Sequence, residues 1–404
     1  MMTTSREDVK TALVLPGGGA RGAFQVGVLK ALADLLPRRS PNPFPILSGT
    51  SAGAVNAIVI ATRSHRFRTA VAELDRVWSH FHCDQVYRTD HLTMLKSSLH
   101  WILGLTLGGW LVGMPESLLD NTPLRNLLSR NLHFPRIRDG IEAGHLDSIA
   151  VTAAGYASAR SISFFEGRPE LSGWQRTRRL GRKTDLHLDH VMASIAVPYV
   201  FPPVRIGKEY FGDGAMRQAT PLSPVVHLGA DRILVIGIRD ETGGAEPEYS
   251  DNPPSFAQIA GYMLDTLFMD GLYSDLERVT GINDLLDSLP QDEVTLGERR
   301  LRPIDTMLIV PSRDLRSLAE KHRKELPFAI RALLRGVGGR GKREHRLLSF
   351  LLFEQEYTRE LIRLGYEDAM NVRDELLDFV SGREVPRLFA PAWIRRDLSS
   401  LTPV

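Results

Sequence analysis

The sequence predicts a layered α/β protein built around a central sheet. Three observations carry that expectation. Short apolar runs that read as buried strands alternate with segments of helical periodicity, and glycine-rich turns stand where strand passes into helix. The third observation is size: 404 residues, 43% hydrophobic and 24% charged, suffice for one large α/β domain with additions or for two domains.

The elements can be justified in order. "TALVLPGGGA" predicts a buried strand over 11–15 and a turn at Gly17 to Gly19, because a β-prone run meets residues that tolerate unusual dihedrals. From Gly22 to Leu36, Phe24, Val28, Leu32 and Leu35 recur at helical spacing, and Pro37 stops the run. The same unit follows again: "FPILS" as strand, "GTSAG" as turn, "AGAVNAIVIAT" as a helix apolar enough to be buried. "DSIAVTAAGYA" and "RSISFFEG" read as paired strands, and "DHVMASIAVPYVFPPV" as a helix broken at Pro198. "KEYFGDGAMRQATPLSPVVHLG" supplies a short strand, a sharp turn and a helix, and "DRILVIGI" another buried strand. The Gly, Pro, Glu and Asp of 241–254 mark a loop. Beyond it come a helical stretch over 255–287, a final sheet strand in "IDTMLIVPS" and a helical region over 345–380.

Composition narrows the function. A formal charge of +2 is too mild to indicate a nucleic-acid binder. The single cysteine, Cys83, excludes an intramolecular disulfide and suits a reducing compartment. "MMTTSREDVK" carries charges and no apolar h-region, so no Sec-type signal is visible and a cytoplasmic protein is expected. The most apolar segment, "LHWILGLTLGGWLVGM" at 99–114, is shorter than the roughly 20 residues of a spanning helix. Burial in the core suits it, as does a lid or monotopic element on a membrane surface. The basic stretch 319–346 reads either as a solvated helix pair or as a surface for anionic headgroups, and the apolar residues of 255–287 as core, acyl channel or subunit contact.

Two glycine-rich turns carry the chemistry. Gly49-Thr50-Ser51-Ala52-Gly53 fits G-x-S-x-G between a strand and a helix, the setting in which a serine is strained outward as a nucleophile. The helix after it points its N-terminus at the site, where exposed N–H groups stabilise a developing oxyanion. The alternative is a tight turn whose serine caps the helix. "PGGGARGAF" sets successive backbone N–H groups around a concavity suited to negative charge, phosphate or oxyanion alike. It is not a Walker A loop. Gly17, Gly19 and Gly22 also fit the dinucleotide fingerprint G-x-G-x-x-G, but "FPILSGTSAG" stands where its acidic residue is expected. Arg21 can support the loop by hydrogen bonding or ion pairing.

A serine needs a base. The late histidines, His322 and His345, lie in basic helical sequence rather than on a strand-end loop. Asp213 in "YFGDGAM" stands between two glycines directly after a strand, where a turn can present its carboxylate to a cleft. "HFH" at 80–82 and the pair His187, His190 lack metal-ligand spacing, and neither a metal nor a cofactor is expected.

Gly-Gly-Gly-Ala-Arg-Gly at 17–22, Gly-Thr-Ser-Ala-Gly at 49–53, "ASIAVPYVFPPV" at 193–204 and Asp-Gly-Ala at 213–215 together resemble the patatin-like phospholipase family. The resemblance spans roughly 11–239. It implies a patatin-like layered α/β fold with a central, mostly parallel sheet flanked by helices, and a Ser-Asp dyad without histidine: Ser51 as nucleophile, Asp213 as general base. It implies an oxyanion hole at Gly18, Gly19 and Ala20 with Arg21 stabilising that loop, and Gly17, Gly22, Gly49, Gly53 and Gly214 as motif support. One departure is Asp-Gly-Ala where the family often has Asp-Gly-Gly, a change of one methyl. The expected organisation is a catalytic core at 11–239, a helical insertion with the last core strand at 240–312, and a helical C-terminal extension at 313–404 packed on the core. The expected activity is hydrolysis of fatty-acyl esters of phospholipids or related lipids. A soluble carboxylesterase, lysophospholipase or thioesterase with the same dyad is the alternative, and a non-catalytic lipid-binding protein a further one. An anionic membrane surface and a homodimer are the partners considered, with peripheral membrane association.

Overall fold

The computed structural model describes residues 9–88, 117–238, 253, 255–289, 295, 296, 299–336 and 345–390. The apolar segment 99–114 lies outside the described residues.

The centre is an 11-stranded sheet. Its strands are β1 (Thr11–Leu15), β2 (Ile46–Thr50), β3 (Ser148–Gly155), β4 (Ser161–Gly167), β5 (Trp174–Gln175), β6 (Arg179–Lys183), β7 (Val204–Ile206), β8 (Glu209–Asp213), β9 (Arg232–Ile236), β10 (Asp305–Ile309) and β11 (Leu388–Phe389). The order is β11-β10-β9-β1-β2-β3-β4-β6-β5, with β8 paired to β3 and β7 to β8. From β11 across to β3 every pairing is parallel. Antiparallel pairs join β3 to β4 and to β8.

Parallel strands covered on both faces must be apolar on both faces, and β1 shows why its sequence does not alternate. Leu13 and Leu15 enter one buried cluster, Ala12 and Val14 the other. The first layer holds α1 (Gly22–Leu35), α2 (Ala52–Ala61) and α3 (Phe67–Trp78), together with α4 (Thr122–Asn131) and α5 (Leu188–Ser194). The second holds α6 (Ser223–His227) and part of the long α7 (Phe256–Ser288). After β10 come α8 (His345–Leu351), α9 (Gln355–Asn371) and α10 (Arg373–Val380).

The chain's last third returns to its first helix. An added Cβ on Gly27 of α1 would lie 2.1 Å from Ile362 O, and one on Gly365 of α9 2.2 Å from Phe24 O. The two helices therefore cross backbone to backbone, closer than any pair bearing side chains at those positions could.

Three elements differ from the sequence reading. The strand in "IDTMLIVPS" is not the last, since β11 adds a parallel pairing opposite Thr306 and Met307. Two residues are too few to show a period. The helix expected to break at Pro198 ends earlier, at Ser194. Proline has no N–H for the carbonyl four residues back and disfavours helical geometry in the residue before it, so the last helical turn is lost ahead of it. The helical region over 345–380 is three helices, interrupted at 352–354 and at Val372. Among the described residues no helix is long and apolar enough to cross a membrane.

Candidate active site

Ser51 stands between β2 and α2 with φ 53° and ψ −127°, in the region that non-glycine residues avoid. The strain is held in place. Its N–H donates to Ser194 Oγ at 2.9 Å, and the Ser194 hydroxyl donates to Thr152 O at 2.7 Å. The turn is tight enough that a Cβ on Gly53 would meet Leu15 O at 2.0 Å and one on Gly49 would meet Ala54 Cα at 2.5 Å. Gly17, Gly22 and Gly214 border the same place, with Ser51 Cβ, Ala52 Cβ and Thr152 O as their respective close neighbours.

Sheet register brings Asp213 to this serine. Thr152 of β3 pairs with Thr50 on one side, and Ala153 pairs with Asp213 on the other. The Asp213 N–H donates to Ala196 O at 2.8 Å, and its Oδ1 accepts the Ala215 N–H at 2.9 Å. Its side chain is buried. Burial pushes the carboxyl up to about 7, against opposing hydrogen bonding from Ser51 and from the Ala215 N–H. The Ser51 hydroxyl is thus a neighbour of this carboxyl, but not an aligned partner: among the described residues the buried Asp213 Oδ2 has no partner in strict hydrogen-bond geometry. A catalytic pair is often this loose before substrate arrives.

The glycine loop follows β1. Gly19 has φ 54°, and no described residue accepts from the N–H of Gly18 or Gly19. Ala20 is buried beside them. Arg21 is buried as well, at 1% exposure. Its Nη1 donates to Asp265 Oδ1 at 3.0 Å, while its Nε and Nη2 donate to Ser349 Oγ at 3.0 and 2.7 Å. Behind the loop, Gln25 Nε2 donates to Pro16 O at 2.9 Å, and Asn56 links Gln25 to Trp78 Nε1 through bonds of 3.0 and 2.9 Å.

Ser51 and Gly19 open into a cavity of about 100 Å³. Ala52, Val55 and Val59 recur on its wall at helical spacing, so it follows α2 away from the serine for roughly 10 Å. Leu74, Val77, Trp78, Leu124, Leu128, Phe350 and Phe353 are among the other residues of an almost wholly apolar lining, in which Glu73 and Asn131 are polar beside Ser51.

Sequence reasoning named the serine, the aspartate and the glycines, of which Ser51 and Gly19 line the cavity while Asp213, Gly17, Gly22, Gly49, Gly53 and Gly214 pack close around the serine turn. It missed Ser194, Gln25, Asn56, Asp265, Ser349 and Phe350. For Ser194 a signal existed, since it lies inside the quoted motif at 193–204.

The model of one protein family, described as "Patatin-like phospholipase", matches residues 13–226, more than half of the chain. The chain belongs to the patatin-like phospholipase family. Among curated relatives, "Triacylglycerol lipase 4" of Saccharomyces cerevisiae is 44% identical over 63 residues, 15% of this chain and 6% of that protein. "Triacylglycerol lipase SDP1L" of Arabidopsis thaliana is 46% identical over 57 residues, 14% of this chain and 6% of that protein. The chain thus covers a small fraction of the length of either. Among solved structures, VipD from Legionella pneumophila aligns over 91% of this chain and 67% of that one, at 13% identity and a TM-score of 0.34. The ExoU–SpcU complex of Pseudomonas aeruginosa aligns over 94% and 73%, at 15% identity and a TM-score of 0.26. Both scores are too low for either structure to guide the reading of this site.

Proposed function

We propose that this chain hydrolyses fatty-acyl ester bonds of phospholipids or related lipids through a Ser51–Asp213 dyad and an acyl-enzyme. The observation that carries the reading is a strained serine beside a buried carboxyl, with the serine at the mouth of an apolar cavity. The acyl chain lies along α2, which brings the ester carbonyl to Ser51. Ionised Asp213 takes the Ser51 proton as Oγ attacks, and its buried setting favours proton uptake. Negative charge on the carbonyl oxygen is met by the N–H groups of Gly18 and Gly19, at the N-terminal end of the turn that leads into α1. Asp213 then gives the proton to the leaving alkoxide, and an alcohol or lysophospholipid departs. Water, deprotonated by the same carboxylate, attacks the acyl-enzyme; the bond to Ser51 Oγ breaks, Asp213 returns the proton to that oxygen, and the fatty acid leaves.

Fluorophosphonate labelling tests the nucleophile: the parent chain is labelled and Ser51→Ala is not. Asp213→Asn lowers turnover roughly a hundredfold or more while the fold is kept. Normal turnover in Asp213→Asn overturns the base assignment, and undiminished labelling of Ser51→Ala overturns the nucleophile. Vesicle phospholipids compared with short soluble esters separate a lipid hydrolase from a soluble esterase.

A further inference from the structure

The groups that hold Arg21 come from outside the stretch that matches the family. That match ends at residue 226, whereas Asp265 belongs to α7 and Ser349 to α8. Between them they take the Nε, Nη1 and Nη2 of a guanidinium that water hardly reaches. The Phe350 ring lies beneath it, 3.9 Å from the ring centre to Arg21 Cζ. The same helix touches the loop a second time: a Cβ on Gly19 would stand 2.3 Å from Phe350 O. Arg21 is in turn tied into the loop by its own N–H, which donates to Gly18 O at 3.1 Å.

We infer that Asp265 and Ser349 are positioning residues for catalysis, which fix Arg21 and through it the Gly18 and Gly19 N–H groups. This rests on the Ser51–Asp213 reading. A buried guanidinium stripped of its partners is strongly unfavourable, so Arg21 cannot swing away without leaving an unpaired charge behind. Its donors are engaged by the clamp and its role is mechanical: the main-chain N–H groups, not the guanidinium, receive the oxyanion. Preorganised donors stabilise a transition state because they need not be oriented during the reaction, and a loop held at Gly19 and at Arg21 meets that condition. Residues beyond 226 therefore complete the active site, and Phe350 and Phe353 add part of its apolar wall.

The test uses the full chain and four variants: Ser349→Ala, Ser349→Thr, Asp265→Asn, and Arg21→Met combined with Asp265→Leu. The last replaces the buried pair with apolar groups and keeps the fold where removing one partner would not. Amide hydrogen exchange over residues 16–22 is measured beside kcat, KM and the pH profile for a p-nitrophenyl ester. In Ser349→Ala and the double variant, loop exchange accelerates and kcat falls by roughly tenfold, a loss confined to the transition state, with KM little changed. The pH midpoint stays with the parent, because Asp213 is untouched, and Ser349→Thr keeps near-parent kcat. Parent-like loop exchange in both Ser349→Ala and the double variant overturns the inference. So does a kcat that follows thermal stability alone. If the parent chain has no turnover that depends on Ser51, the dyad reading falls, while loop exchange still decides whether the clamp orders the loop.

Discussion

Replacing Asp213 by asparagine should make the protein more stable while it destroys the proposed activity. Burial raises this carboxyl from 3.8 to about 7 in the folded chain. A rise of about three pKa units corresponds to roughly 4 kcal/mol between the protonated and ionised folded states. Below about pH 4 the folded and unfolded chains both hold the proton. Between about pH 4 and 7 the folded chain holds it while the unfolded chain has lost it, so stability falls as pH rises. Above about 7 both are ionised and the loss is complete. Asparagine has no charge to bury and retains a carbonyl oxygen for the Ala215 N–H. Its advantage over the parent therefore grows across that window by about 4 kcal/mol and is flat beyond it. Urea unfolding at a series of pH values from 4 to 8.5 measures it. The reasoning fails if Asp213→Asn is no more stable than the parent at pH 8, or if its advantage is the same at pH 4.5.

Three other outcomes are expected. For a soluble ester, kcat/KM of the parent rises with pH through a midpoint near 7, because the base must be ionised, and a midpoint near 4 would place it elsewhere. Ser194→Ala leaves the Ser51 N–H without its acceptor and lowers stability by about 1–3 kcal/mol, with a matching loss of kcat; urea unfolding and kinetics check both. Val59→Phe fills the cavity along α2, so long-chain p-nitrophenyl esters lose rate while short ones keep it, as a chain-length series would show.

Much of the sheet was legible because its signals are local. A run such as "TALVL" is apolar throughout and is followed at once by glycines, and the same holds for "FPILS" before "GTSAG". Ser51 and Asp213 stood out for a related reason: a side chain between small residues at a strand end is a short-range backbone signature. Asp265 and Ser349 carry no such mark, and Ser194 only that of the motif at 193–204 in which it lies. Each is an ordinary helical residue whose place in the site comes from a partner 143, 244 or 328 positions away. The crossing of α1 and α9 was hidden similarly, since Gly27 and Gly365 in isolation read only as weak points in helices. β11 gains its strand character solely from the edge of β10 it lies against.

The span from Arg21 to Ser349 has a bearing on how the protein is made. A ribosome delivers the serine, the aspartate and the glycine loop well before it delivers the last wall of the cavity. At roughly 5–20 residues per second, the interval between Asp213 and Phe353 lasts several seconds or more. During that time the nascent chain carries Ser51 and Asp213 without the aromatic wall contributed by Phe350 and Phe353. A chain built in this order is born with that cavity unfinished, and the wall closes only once residues 350 to 353 have been made.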